Sequence, residues 1–428
     1  MTEKNLRAAV CDLLLRCEAA GQYSNIALDT ALSRGHFTGA DRGLFTALFY
    51  GVTEHRLTLD HIIDTFSKLP ASKIEPRVRA ALRLGLCQLL YFDRIPDHAA
   101  INESVALVPA RSRGFVNALL RSFCRADKQF PLPQKSAEPV HYLSLCYSIS
   151  EELAEAFLRI WGSDGAEKQL LAFSRVPDVT VRVNTKKMTR EEWLARCGGT
   201  PTQYAPHGVK LTDGTLLQKA LADGLCFVQD EASQICVAAL DACGHRVLDL
   251  CAAPGSKSFG AALDGATEVH SYDLHENKLS LIRRGASALG IENLTAAAQD
   301  AKTASPEKTG VFPRVICDVP CSGFGVLAKK PDIRYKDVKS AAGLPAIQRE
   351  ILESAANCVE DGGILVYSTC TVLPAENEEL VNAFLAAHSE FSLVPFSVGE
   401  LHANGMLTLT PHEHGTDGFF LAKLQKGH

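Results

Sequence analysis

Beyond about residue 235 the chain is written as short apolar runs separated by stretches of helical spacing. The runs are "RVLDL" (246–250), "EVHSYDL" (268–274), "NLTAAAQ" (293–299), "RVICDV" (314–319) and "GILVYST" (363–369). This alternation constrains the fold most, because a strand that returns through a helix pairs parallel to its predecessor. A doubly wound α/β sheet follows, covered by helices on both faces, with ligands expected at the strands' carboxyl ends. Two last runs, "MLTLTP" (406–411) and "GFFLAKL" (418–424), have no helix between them and predict an antiparallel hairpin.

The front of the chain obeys a different rule. Val78, Leu82, Leu86 and Leu89 recur at helical spacing, and Phe115, Leu119 and Phe123 repeat the pattern. Residues 1–130 therefore read as an all-helical domain. "KQFPLPQKSAEP", Lys128–Pro139, carries three prolines and no periodicity, so it reads as a linker. Residues 140–234 form a mixed α/β segment, with helical "EELAEAFLRIWG" and then "VTVRVNT" (179–185). Alternation in the latter predicts a strand with one wet face, carrying Arg182. Residues 235–428 hold the sheet, and 428 residues are more than one core normally supports.

Composition removes several classes of protein. No uninterrupted apolar run reaches the roughly 18 residues of a membrane helix, and the start, "MTEKNLRAAV", lacks the basic patch and apolar core of a secretory signal. A cytoplasmic location is expected. Fourteen cysteines in that setting argue against a disulfide framework. None forms a Cys-x-x-Cys pair, so no metal site is expected. The net charge of −5 does not point to a polyanion partner. Between Lys73 and Arg125, however, nine Lys/Arg stand against four Asp/Glu. Such a surplus reads either as a solvated face or as the start of a nucleic-acid surface.

"VLDLCAAPGSKS", Val247–Ser258, reads as a strand running through a Pro-Gly-Ser turn into a helix. Gly255 lets backbone approach a ligand, and the helix amino terminus offers unpaired N–H groups. With one glycine it is neither a Walker loop nor the three-glycine dinucleotide fingerprint. Asp273 closes the next strand, where an acid holds ribose hydroxyls in nucleotide-binding sheets, while Asp300 and Asp318 close the third and fourth. One such acid is commonly a helix cap. Three in succession suit a ligand bearing ribose and amine, and S-adenosylmethionine fits without a phosphate loop.

Two thiols end strands. Asp318 and Cys321 follow the fourth run in "DVPCSG", and Cys370 ends the fifth in "STCT". A thiolate is a nucleophile whose pKa falls near positive charge, for which Lys257, Lys329, Lys330 and Arg334 are candidates. A thiolate beside a methyl sulfonium suits one reaction class. Adding sulfur to carbon 6 of a pyrimidine makes carbon 5 nucleophilic enough to take a methyl group. Asp318 is placed to hydrogen-bond the ring nitrogen and exocyclic amine of a cytosine. For either cysteine alone, burial as a small hydrophobe remains the plain reading.

The chain resembles the Sun-type RNA cytosine carbon-5 methyltransferases in "LDLCAAPGSKS", "YDLHENKL", "DVPCSGFGVLAKKPDIRY", "YSTCTVLPAENE" and "TDGFFLAKL". In the helical front, "HAAINESVALV" and "GFVNALLR" resemble the NusB RNA-binding fold. The resemblance implies a Rossmann-like, class I S-adenosylmethionine-dependent methyltransferase sheet behind a NusB-like domain. It implies Cys370 as nucleophile and Cys321 in product release. The donor site it implies comprises Ala252, Ala253, Pro254, Gly255, Ser256, Lys257, Ser258, Asp273, Asp300 and Asp318. "PGSK" stands where many relatives have "PGGK", which requires ordinary backbone angles at Ser256. The implied substrate is 16S ribosomal RNA before most ribosomal proteins cover it, at the cytosine numbered 967. The helical domain and the 179–185 segment would grip phosphates, and "KKPDIRY" (329–335) would guide the RNA backbone or form a plain surface loop. A cytosine methyltransferase of transfer RNA or DNA, and a non-enzymatic RNA-binding factor, stand as alternatives.

Overall fold

In a computed structural model of the chain, residues 6–20, 24–34, 37, 39–212, 214 and 216–427 are described. Residues 1–5, which open the "MTEKNLRAAV" stretch, lie outside them. The chain forms two compact units, residues 1–174 with 327–338, and residues 175–326 with 339–428. Among the described residues no helix is long and apolar enough to cross a membrane.

The first unit is helical. Pro76–Tyr91 runs through its core, with Val78, Leu82, Leu86 and Leu89 buried on one apolar cluster with Leu119 and Phe123 of helix Ala110–Arg125. Part of the basic surplus is paired with acids of the same unit. Arg83 is buried between Asp60 (2.7 Å) and Glu18 (2.6 Å), Arg79 reaches Glu18 (3.3 Å) and Arg77 reaches Asp12 (2.7 Å). A guanidinium survives such burial because its planar fork can satisfy two carboxylates at once. The proline-rich stretch is laid on the helices: the Phe130 ring lies 6.5 Å from Phe123, and His61 Nε2 lies 2.6 Å from the Pro131 carbonyl. Helices Pro139–Tyr147 and Glu151–Phe173 complete this unit's main run.

"KKPDIRY" is not a plain surface loop. Residues 331–335 form a 3₁₀ turn that caps helix ends of the helical unit. The Tyr335 hydroxyl lies 2.6 and 2.9 Å from the carbonyls of Thr53 and Glu54, which end helix Gly39–Glu54. Arg334, 2% exposed, donates to the carbonyls of Tyr147 (3.0 Å) and Phe173 (2.9 Å), which end two more helices. Asp332 accepts from the Ser24 N–H (2.9 Å) at the start of helix Ser24–Arg34. Helix termini leave unpaired carbonyls and N–H groups, and this segment supplies partners of the matching sign.

The second unit begins with a small antiparallel sheet of β1 (Val179–Val183), β2 (Thr200–Pro201), β3 (Gly208–Leu211) and β4 (Cys226–Val228), ordered β2-β3-β1-β4. The wet face expected for β1 is absent: Thr180 to Val183 are all buried, and Arg182 is 2% exposed. The period of two is present, but both faces are covered. Arg182 is held by an ion pair to Asp264 beside the Gly260 carbonyl.

The large sheet holds β5 (Arg246–Asp249), β6 (Glu268–Asp273), β7 (Leu294–Ala298), β8 (Phe312–Asp318) and β9 (Val359–Thr369), the five runs expected. Three short strands follow, β10 (Phe391–Leu393), β11 (Phe396–Val398) and β12 (Leu401–Ala403), then β13 (Met406–Leu409) and β14 (Phe419–Lys426). The order is β10-β14-β9-β8-β5-β6-β7, with β13 on β14 and β11–β12 a separate ribbon. β5 to β9 pair parallel, and β14 returns antiparallel to β9 and β13. Ile316 and Val366 face one apolar layer; Val315, Cys317, Leu365 and Tyr367 face the other. Continuous apolar runs are what two covered faces demand.

Candidate active site

The parallel register brings the carboxyl ends of β5, β6, β7 and β8 to one rim. Ala252 N–H donates to the Tyr272 carbonyl (2.8 Å) and Gln299 N–H to the Asp273 carbonyl (3.0 Å), which joins neighbouring strand ends. Gly255, at φ +114°, opens helix Ser256–Leu263, and a Cβ there would run into the Phe259 ring. Ser256 is the first helical residue and has no left-handed backbone, so serine is accommodated. Asp273 is buried and accepts from Ala253 N–H (3.2 Å) and His275 N–H (3.0 Å). Asp300 spends one oxygen on Lys302 N–H (3.0 Å), the capping role noted above, and keeps its other acceptor sites.

Beneath them Asp249 is 1% exposed, takes a hydrogen bond from Ser258 Oγ (2.6 Å), and has no partner for Oδ1 among the described residues. Burial pushes its carboxyl up to about 7 despite Ser258 and the nearby Lys257 ammonium. A glycine cradle, an orphaned buried acceptor and acids on adjacent strand ends fit a donor bearing ribose, amine and a cationic centre. Gln229, which the sequence reading passed over, steadies this turn by donating to the Ser256 carbonyl (3.1 Å).

Parallel pairing of β8 with β9 sets Asp318 opposite Ser368 and draws the two thiol loops together. Cys321 Sγ and Cys370 Sγ are 3.2 Å apart. Lys257 Nζ donates to Asp318 Oδ2 (2.6 Å), and Ser368 Oγ donates to Oδ1 (2.8 Å), so both carboxylate oxygens are aimed. Burial alone would lower the Lys257 ammonium, but Asp318 outweighs it and holds the lysine charged. The Cys321 thiol is pushed well up, first by its hydrogen bond with Cys370, then by burial and the Asp318 and Glu376 charges. The fall expected from a positive field is therefore not found at Cys321, because the hydrogen bond with Cys370 and burial, with carboxylate charge behind them, raise it instead.

Loop geometry is fixed by close backbone approach. Gly325 N–H donates to the Cys370 carbonyl (3.0 Å), and Gly418 N–H donates to the Gly325 carbonyl (2.8 Å). Three sequence motifs thus cross at one point. Two polar residues behind the thiols, Glu376 and Gln348, carried no expectation from sequence and are 1% and 0% exposed. A glutamine in register with Ile351, Leu352 and Ala355 on the buried face of helix Leu344–Asn357 was the available signal. Two clefts, of about 230 and 290 Å³, lie elsewhere, one lined by Arg182, His207 and Asp264 and one by Arg56, Asp332 and Tyr335.

Residues 239–425 match the family described as 16S rRNA methyltransferase RsmB/F, and residues 4–125 match the NusB family. Along its whole length the chain is 35% identical to a protein of Bacillus subtilis named probable ribosomal RNA small subunit methyltransferase B, covering 100% of each. The chain belongs to the ribosomal RNA small subunit methyltransferase B family. A member of that family from Serratia proteamaculans is 32% identical over 90% of this chain and 91% of its own. The fold agrees: the crystal structure of PH0851 superposes with a TM-score of 0.77 at 26% identity, over 99% of each chain. A methyltransferase homologue from Pyrococcus horikoshii superposes at 0.59, at 25% identity over 68% of this chain and 99% of its own.

Proposed function

We propose that this chain methylates carbon 5 of one cytosine in 16S ribosomal RNA, cytosine 967 in the numbering of that RNA, through a covalent sulfur–carbon 6 intermediate. The observation that carries the reading is the thiol pair, 3.2 Å apart at the ends of β8 and β9, beside the Lys257–Asp318 pair. S-adenosylmethionine would supply the methyl group, held by Ala252 to Ser258, Asp273, Asp300 and Asp318. Two sulfurs at hydrogen-bond distance share protons as a unit. The two thiols therefore titrate as a pair, and Cys370, just past the end of β9, is the sulfur that attacks.

The Cys370 sulfur adds to carbon 6, and the ring's electron pair moves toward N3 and O2. N3 takes the proton that the Cys370 thiol gives up, and Asp318, aimed by Lys257 and Ser368, binds the exocyclic amine and the protonated ring nitrogen, which then carry positive character. Carbon 5 then takes the methyl group, loses its proton to a base, and the carbon–sulfur bond breaks to free Cys370. Cys321, the sulfur nearest to Cys370, serves the release stage. Domains 1–130 and 140–234 would bind the RNA, in the cytoplasm and before most ribosomal proteins cover the site. The target base must leave its stack to reach the thiol.

Cys370→Ala abolishes methyl transfer and forms no covalent RNA complex. Cys321→Ala accumulates an adduct that survives denaturation and disappears when Cys370→Ala is added. An adduct that persists without Cys370 reverses the roles. Mapping 5-methylcytosine in cells lacking the protein decides the substrate, since loss in transfer RNA alone would replace the ribosomal reading.

A further inference from the structure

We propose that Glu376 is a positioning residue that, with Gln348, clamps the two cysteine loops so that their sulfurs face each other. The inference rests on the covalent reading above. Glu376 Oε2 accepts from the Ser322 N–H (2.9 Å) and from Gln348 Nε2 (2.7 Å). Gln348 Nε2 also reaches the Pro320 carbonyl (2.9 Å). The residues on either side of Cys321 are thus held by one buried carboxylate and one buried amide.

The other loop is tied to the same corner. Ser322 Oγ donates to Thr371 Oγ1 (2.7 Å), immediately after Cys370. Asn377 Nδ2 donates to the Thr371 carbonyl (3.0 Å), and Thr369 Oγ1 donates to Asn377 Oδ1 (2.6 Å). Tyr367 donates its hydroxyl proton to the Glu376 carbonyl (2.7 Å). Every residue flanking a thiol is therefore bonded, directly or through one link, to Glu376 or Asn377. A fully buried carboxylate is a costly way to fill space. One of its two bonds goes to Ser322 in the loop that carries Cys321, and the other goes to Gln348, which in turn holds the Pro320 carbonyl of that loop; positioning requires this and packing does not.

A thiol ruler and turnover test this in the full-length protein. Diamide takes two electrons and two protons from neighbouring thiols, giving a disulfide and the hydrazine, and peptide mapping measures the 321–370 link. Glu376→Ala slows that link about fivefold and lowers kcat about a hundredfold with KM for RNA little changed, as misplacement of reacting groups does. Glu376→Gln, whose Oε1 can accept the same two bonds, recovers most of both losses. Linking and kcat within about twofold of wild type in Glu376→Ala overturn the proposal, as does a Gln variant as defective as Ala. Should Glu376→Ala not fold, Gln348→Leu decides: it slows both readouts, and wild-type behaviour overturns the clamp. The link needs no catalysis, so its result stands apart from the Cys370→Ala test, which alone judges the covalent reading.

Discussion

Asp249 shows what the strand ends demand of single residues. Its carboxyl sits near 7 in the folded chain because burial penalises the charge, against an ordinary value of 3.8. Below about pH 4 both folded and unfolded chains hold the proton, and the contribution to stability is fully present. Between about 4 and 7 only the unfolded chain releases it, so stability falls by about 1.4 kcal/mol per pH unit. Above 7 both are ionised and the loss is complete. Asp249→Asn lacks this dependence. Thermal midpoints of the two proteins therefore diverge between pH 5 and 7 in the direction that favours the variant, and run parallel above 8. Curves parallel throughout would assign the burial penalty elsewhere.

Among elements, the crossing of the thiol loops is the most sharply specified. A Cβ on Gly325 would collide with the Gly418 carbonyl and lie 2.8 Å from that of Cys370. Gly325→Ala should cost about 1–3 kcal/mol and displace Cys370. Calorimetric unfolding and turnover should fall together, and an alanine variant with wild-type values in both would show that the loops can spread apart. The same elements show what was legible in sequence. β5 to β9 could be read because strands covered on both faces are apolar throughout, and their polar last residues marked the rim. Arg182 was misplaced because a period of two tells which residues share a face, not whether that face is covered. Glu376 and Gln348 escaped because their bond joins residues 28 apart in sequence, in elements with no shared local pattern. The charges of "KKPDIRY" suggested solvent; helix-end carbonyls are equally good partners for arginine, and no sequence pattern announces them.

For the whole molecule, the decisive feature is that the helical unit is discontinuous. Residues 1–174 alone lack the partners that Asp332, Arg334 and Tyr335 supply to helix ends. Each missing bond is worth about 0.5–1.5 kcal/mol, so a fragment of those residues should melt below the intact chain. A peptide of residues 327–338 added in trans should raise its midpoint, and the same peptide with Arg334→Ala and Tyr335→Phe should not. A fragment as stable without peptide as with it would show the plug to be dispensable.

The interleaving also dictates a timetable. Residue 174 leaves the ribosome 153 residues before residue 327 does (327 − 174). At about 5–20 residues per second, the newborn helices wait roughly 8–30 s for their last piece. During that interval β1 to β8 are synthesised, so the first unit is completed part-way through the second, before β9 to β14 emerge.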